Sequence, residues 1–218
     1  MIEFLKELDT KLFLYLNSLN NDFFDSIFLW VTEKYSWLFL YFIILLLLIW
    51  RYMAVRVQLS PGEGLRAPSF HINKSYWPWL LLAAVCVSLL VALSDQVSVH
   101  LFKNVFQRLR PGHEPELYDI VHLPRRRGGQ FGFVSGHATG SFAVAYFTSR
   151  IIDLKWYTWV IFFWAVIFSY SRIYIGVHYP GDSIFGALLG FFLAWMMLRV
   201  WIAMGRAWFP SLLPGPLR

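Results

Sequence analysis

Three short stretches hold residues whose types and spacing could do chemistry. Lys103 and Arg110 stand seven apart with Pro111 behind, Ser135-Gly136-His137 follow, and Ser171-Arg172 precede His178 by five intervening residues and Asp182 by three more. Lysine offers a point charge and arginine a two-pronged grip, so Lys103, Arg110 and Arg172 suit the oxygens of a phosphate. Imidazole titrates near neutrality, which lets one histidine attack phosphorus and another protonate the oxygen that leaves. Asp182, four residues beyond His178, can hold the proton-bearing ring nitrogen and expose the other. The inventory is that of phosphoryl transfer.

Such residues must be carried by elements that bring them to one place. The chain has 218 residues, of which 58% are hydrophobic, 20% aromatic and only 15% charged, a balance foreign to a soluble globule. Apolar runs from Trp37 to Trp50, Trp77 to His100, Trp156 to Tyr170 and Ile184 to Trp201, with a small-residue run from Ala138 to Ile152, approach the roughly 20 residues needed to cross a bilayer as helix. The expected fold is all-α, a polytopic membrane bundle of about five spanning helices plus an N-terminal interfacial helix, forming one domain over 1–218. The count could be six, the N-terminal segment either spanning the membrane or lying on it, and Phe23 to Trp30 could begin a first helix that runs on to Trp50 with a break near Glu33 and Lys34. Glu3, Glu7 and Asp9 argue against a cleavable signal peptide, whereas Ile2, Leu5, Leu8, Leu12 and Leu16 recur near helical spacing, as in a helix lying along an interface.

Punctuation places the chemistry at helix ends. The second span is expected to continue as helix past His100 and stop before Pro111, which disfavours helix at the residue preceding it, so that Lys103 and Arg110 share a face. Ser135 is a suitable N-cap, and the glycine after it lets backbone approach an anion at the helix N-terminus. Pro180 suits a first helical position. Arg51 to Lys74 reads as a turn-rich connection, and Pro111 to Val134 as the longest polar loop. With five spans, the loops after the second and fourth share a membrane side with the N-terminus, so the three stretches converge. The two sides carry ten and nine Lys and Arg, and setting aside Lys103, Arg108, Arg110 and Arg172 leaves an excess on the other side. That bias puts the other side in the cytoplasm and the site on the periplasmic or extracellular face.

The formal charge of +6 suits anionic lipid headgroups or phosphorylated substrates, and the scattered basic residues contain no nucleic-acid reading module. Cys86 is the single cysteine, so no intrachain disulfide can form. No metal site or cofactor is expected: His71, His100 and His122 lack ligand spacing. His113 and Glu114 and the triplet Arg125-Arg126-Arg127 are secondary candidates for substrate contact, and Trp77, Trp79, Trp156 and Trp159 fit an interfacial belt.

The pattern Lys-x6-Arg-Pro, Ser-Gly-His and Ser-Arg-x5-His-x3-Asp resembles the type 2 phosphatidic acid phosphatase superfamily, over Lys103 to Asp182. One departure is Val134, where the family usually has proline. The resemblance implies that His178 is a nucleophile forming a phosphohistidine, Asp182 its orienting partner and His137 the general acid. It also implies that Lys103, Arg110, Ser135, Gly136 and Arg172 bind the phosphate. The run from Gly129 to His137 looks like that of small bacterial members, which makes undecaprenyl diphosphate the first expected substrate. Phosphatidylglycerophosphate, phosphatidate and lipid A phosphates remain open, as do vanadium-dependent halide oxidation and a nonenzymatic lipid-phosphate carrier. The expected partners are the lipid substrate and the membrane itself, in a bacterial inner membrane.

Overall fold

The computed structural model describes residues 2–33, 35–54, 77–124 and 127–208, and among them every regular element longer than a turn is helical. Two short helices, α1 (Ile2–Ser18) and α2 (Asp22–Val31), precede α3 (Leu38–Ala54). Then come α4 (Trp77–Phe106), α5 (Gly136–Ile152), α6 (Lys155–Tyr174) and α7 (Pro180–Trp208). The connection expected over Arg51 to Lys74 falls outside the described residues from 55 on, as do Lys34, His71, Arg125 and Arg126.

By length and composition α4 and α7 can each cross a bilayer. The α2–α3 pair forms a further apolar unit, bent by 73° at the break around Glu33. That break lies where the charged pair interrupts the apolar run. In α1, Phe4, Leu5, Leu8, Leu12 and Tyr15 are exposed, while Phe13 and Asn17 are buried against the bundle. An outward apolar stripe is what an interfacial helix presents to lipid.

Helix α5 is the hub, packing chiefly on α7 and then on α6 and α4. Its approach to α7 depends on two glycines of α7 spaced four apart. A Cβ at Gly186 would stand 2.6 Å from the Ser135 carbonyl oxygen, and one at Gly190 only 2.3 Å from that of Thr139. In a bilayer, where burying apolar surface does not separate helices from lipid, such small-residue contacts hold helices together by dispersion. The far end is closed by Trp79, which is fully buried, packs edge-on against Trp201 at 4.7 Å and occupies the space beside Gly205. Trp79 is therefore core, not part of the expected aromatic belt, whereas Trp77, Trp156 and Trp159 are exposed.

Helix α4 is not regular to its end. Ser98–Lys103 is π-helical, followed by one α turn to Phe106. Gln107 then adopts a left-handed conformation (φ 48°) and ends the helix short of the expected Arg110. The wide π turn adds a residue to the count, so Lys103 comes onto the face that carries Asp95 and Ser98. Ser98 Oγ donates to the Ser94 carbonyl at 2.6 Å and meets Thr139 Oγ1 at 3.3 Å, which stitches this irregular stretch to α5.

Replacing Gly190 by alanine should lower stability by about 1–3 kcal/mol, the usual cost of overpacking a tight contact. Thermal melting of purified protein should show the loss, while Gly140→Ala, whose Cβ would meet nothing within 4 Å, should leave the transition unchanged or slightly higher.

Candidate active site

The ends of α4 and α6 and the starts of α5 and α7 meet at one end of the bundle. Backbone pairing does much of the joining. Residues 108–110 run antiparallel to 130–132: Arg110 N donates to Gln130 O at 3.0 Å and Gly132 N to Arg108 O at 2.9 Å. Ser135 N donates to Asp182 O at 3.0 Å, which ties the first turn of α5 to that of α7. Gly176, at φ +73° and packed against the His122 carbonyl, turns the chain out of α6, and the amides of Val177 and His178 then close on Arg172 O. That turn delivers His178 to the centre.

His178 and Asp182 are 1% and 0% exposed. His178 Nδ1 lies 3.3 Å from Asp182 Oδ2, an oxygen that also accepts from Tyr179 N at 3.1 Å. Asp182 Oδ1 accepts from Arg108 Nη1 at 3.0 Å. With Nδ1 engaged, Nε2 is the ring nitrogen left for reaction. Gly132 closes over the pair: a Cβ there would stand 3.0 Å from Asp182 Oδ2, 3.1 Å from Arg110 Cγ and 3.5 Å from His178 Nδ1.

Lys103, Arg110 and Arg172 all act electrostatically on His178. Lys103 Nζ and Asp95 Oδ1 each lie 3.8 Å from the position of a Cβ at Gly136, so this ammonium flanks the start of α5. Arg110 is not on the α4 helix face as expected. It follows the left-handed break in extended conformation, with Nε donating to Phe131 O at 3.1 Å. Arg172 Nη1 donates to Thr32 Oγ1 at the end of α2. Ser135, fully buried, caps α5 as its sequence suggests, its hydroxyl accepting from Ala138 N. His137 sits one residue into that helix with its ring 5.4 Å from Phe168, within electrostatic reach of Arg172, His178, Lys103 and Arg110. All eight residues singled out in the sequence thus converge. Arg108, Asp9, Thr32 and Gly132 were not, apart from Arg108 as a general site cation. Gly132 alone had a local signal, being a glycine just ahead of the Ser-Gly-His turn.

Of the described secondary candidates, Glu114 lines the groove beside the site, and His113 and Arg127 are engaged in the loop around it. His113 Nε2 meets Gly128 O at 3.2 Å, His100 pairs with Gln96, and the Arg127 guanidinium stacks 3.3 Å over Tyr118. His122 meets Asp25 at 2.8 Å, and Tyr174 donates to the same carboxylate at 2.7 Å, bolting α2 to the bundle. Among the described residues, no three His, Cys, Asp or Glu side chains gather as metal ligands. Beside the site a groove of about 940 Å³ runs between α1 and the start of α7, its apolar walls including Leu8, Leu12, Phe133, Ile184 and Phe185.

Burial above all, then the charges of Arg110, Arg172 and Lys103, holds the His178 imidazole well below the ordinary histidine range. Both influences disfavour the cation, so the ring stays neutral through neutral pH.

The family model for the PAP2 superfamily matches residues 77–205. The lipid A 4'-phosphatase of Bacteroides thetaiotaomicron is 34% identical over 198 residues, covering 90% of this chain and 78% of that protein. The lipid A 4'-phosphatase of Porphyromonas gingivalis is 31% identical, covering 98% and 81%. An undecaprenyl-diphosphatase of Sulfolobus acidocaldarius matches over 103 residues at 32% identity, covering 45% of this chain and 46% of that one. The crystal structure of Aquifex aeolicus LpxE shares the fold with a TM-score of 0.58 at 20% identity, over 88% of this chain and 95% of that chain.

Two measurements follow. Gly132→Ala should reduce kcat by about 100-fold, the scale of loss when reacting groups are displaced by an ångström, with the melting temperature little changed. Because the shift of His178 is downward, the acid limb of kcat/KM, which reports the free enzyme, should fall below pH 6.5; a limb at or above that value contradicts the assignment.

Proposed function

This chain belongs to the PAP2 superfamily and is a membrane lipid phosphatase, and we propose that its substrate is the 4'-phosphate of lipid A or of a closely similar phosphorylated glycolipid. The observation that carries the catalytic reading is the buried His178–Asp182 pair under three cations, at the N-terminus of α5. The substrate reading is supported by the two relatives that align along most of this chain, both lipid A 4'-phosphatases. The apolar groove beside the site suits the acyl chains of such a lipid.

In this mechanism Lys103, Arg110, Arg172, Ser135 and the Gly136 amide hold the phosphate oxygens and offset the charge that spreads over them in the transition state. His178 Nε2 attacks phosphorus while the bond to the ester oxygen breaks, and His137 gives its proton to that oxygen. Asp182 keeps the His178 ring oriented and stabilises its positive charge as the phosphohistidine forms. In the second half His137, now neutral, takes a proton from water, the resulting oxygen attacks phosphorus, the N–P bond breaks and inorganic phosphate leaves. With the site's own cations set aside, the excess of Lys and Arg on the opposite side supports a site on the outer face of the cytoplasmic membrane.

Undecaprenyl diphosphate is the second reading, favoured by the undecaprenyl-diphosphatase relative. The order is the reverse of the one expected from the motif run alone.

Phosphate release should be measured across lipid A, undecaprenyl diphosphate, phosphatidylglycerophosphate and phosphatidate, with protein in detergent micelles. Lipid A should have the highest kcat/KM, and His178→Ala should abolish release. A higher kcat/KM for the polyprenyl diphosphate would overturn the first substrate reading, and near-normal turnover by His178→Ala would overturn the nucleophile.

A further inference from the structure

Arg108 stands between Lys103 and Arg110, yet its guanidinium is committed elsewhere. Nη1 donates to Asp182 Oδ1 at 3.0 Å and Nη2 to Asp9 Oδ2 at 2.8 Å. The guanidinium carbon lies 4.0 Å from the centre of the Tyr179 ring, and Phe13 packs on that ring edge-to-face at 5.3 Å. The remaining Asp9 oxygen accepts from Gly181 N at 2.7 Å, in the first turn of α7. A Cβ at Gly181 would stand 2.7 Å from Asp9 Oδ2 and push the carboxylate off its place. A carboxylate from α1 thus occupies the N-terminus of α7, where the helix dipole favours an anion, and grips the arginine that grips Asp182.

We propose that Arg108, clamped by Asp9, is a positioning residue of the phosphatase: it fixes the Asp182 carboxylate in the orientation that aims His178, and α1 thereby completes the catalytic apparatus. The proposal rests on the reading of His178 as nucleophile.

The argument is one of satisfied valences. Asp182 is fully buried and divides its oxygens, Oδ2 to His178 and Tyr179 N and Oδ1 to Arg108. Without Arg108 that second oxygen loses its charged donor in a dry site, and a buried carboxylate with an unmet oxygen turns toward whatever donor remains. Arg110, whose charge also acts on Asp182, is such a donor, and a carboxylate turned toward it no longer aims Nδ1 of His178. An arginine suits the post because its rigid fork spans two carboxylates at once, which an ammonium cannot do with the same geometry. Since both terminal nitrogens already face carboxylates, Arg108 is distinguished from the phosphate-gripping cations around it.

The test uses the full chain and the lipid phosphate that the unaltered protein hydrolyses fastest. Arg108→Gln should lower kcat by about 30-fold or more while KM stays within about threefold, the signature of an interaction that matters only in the transition state. Arg108→Lys should recover part of kcat, and Asp9→Asn should lower it in the same sense by a smaller factor. In Arg108→Ala, millimolar guanidinium should raise kcat several-fold where equal sodium chloride does not. A large rise in KM at unchanged kcat would make Arg108 a phosphate ligand and overturn the proposal. So would activity that tracks the melting temperature across these variants with no response to guanidinium, which would reduce Arg108 to a fastener. Turnover surviving in His178→Ala would remove the nucleophile reading and this proposal with it, whereas abolished turnover leaves that reading standing whatever Arg108 does.

Discussion

The catalytic end of this bundle is organised by one buried carboxylate. Asp182 has no exposed surface, and an ionised oxygen taken out of water costs several kcal/mol unless hydrogen bonds and an opposite charge replace its hydration. Each replacement comes from a different part of the chain: His178 and Tyr179 N from its own turn, Arg108 from the segment after α4, and through Arg108 Asp9 from α1. The carbonyl of the same residue receives Ser135 N from α5. Satisfying Asp182 therefore requires α1, α4, α5 and α7 to arrive together, and the geometry that stabilises the charge is the geometry that orients the histidine.

That demand explains why so much glycine and so much irregular backbone lie near the site. Gly186 and Gly190 let α7 press on α5 at carbonyl distance, Gly132 leaves room for the His–Asp pair, and the π turn of α4 swings Lys103 toward Gly136. Each feature removes bulk or adds a residue where regular helix packing, at 8–10 Å between axes, would hold the groups too far apart. Specific geometry is obtained by giving up local regularity.

The helices and the three motifs were legible from sequence because both obey short-range rules. Apolar runs mark the helices, Ser135 and Pro180 mark helix starts, and His178 and Asp182 are four apart on one turn. The reach from Lys103 to Arg110 misled because spacing assumes an unbroken helix, and neither the π turn nor the left-handed Gln107 leaves a mark that periodicity registers. Trp79 was misplaced because proximity to a helix end does not tell which face meets Trp201. Asp9 and Thr32 were invisible for a different reason. Asp9 is 99 residues from Arg108, and Thr32 is 140 from Arg172. Partners at that separation are chosen by packing, which the local sequence of neither reveals.

The electrostatics that build the site also suit it to an anionic substrate. Three cations converge on a neutral, buried histidine, and their mutual repulsion is strongest where water is scarce. In the proposed mechanism a phosphate at the start of α5 faces Lys103, Arg110 and Arg172 at once, beside the one ring nitrogen that Asp182 leaves uncommitted. On that reading, binding energy that relieves cation repulsion is spent on bringing phosphorus to His178. A neutral headgroup gains none of it, so selection for a phosphorylated lipid follows from the charges, and the choice among such lipids is left to the groove and the loops around it.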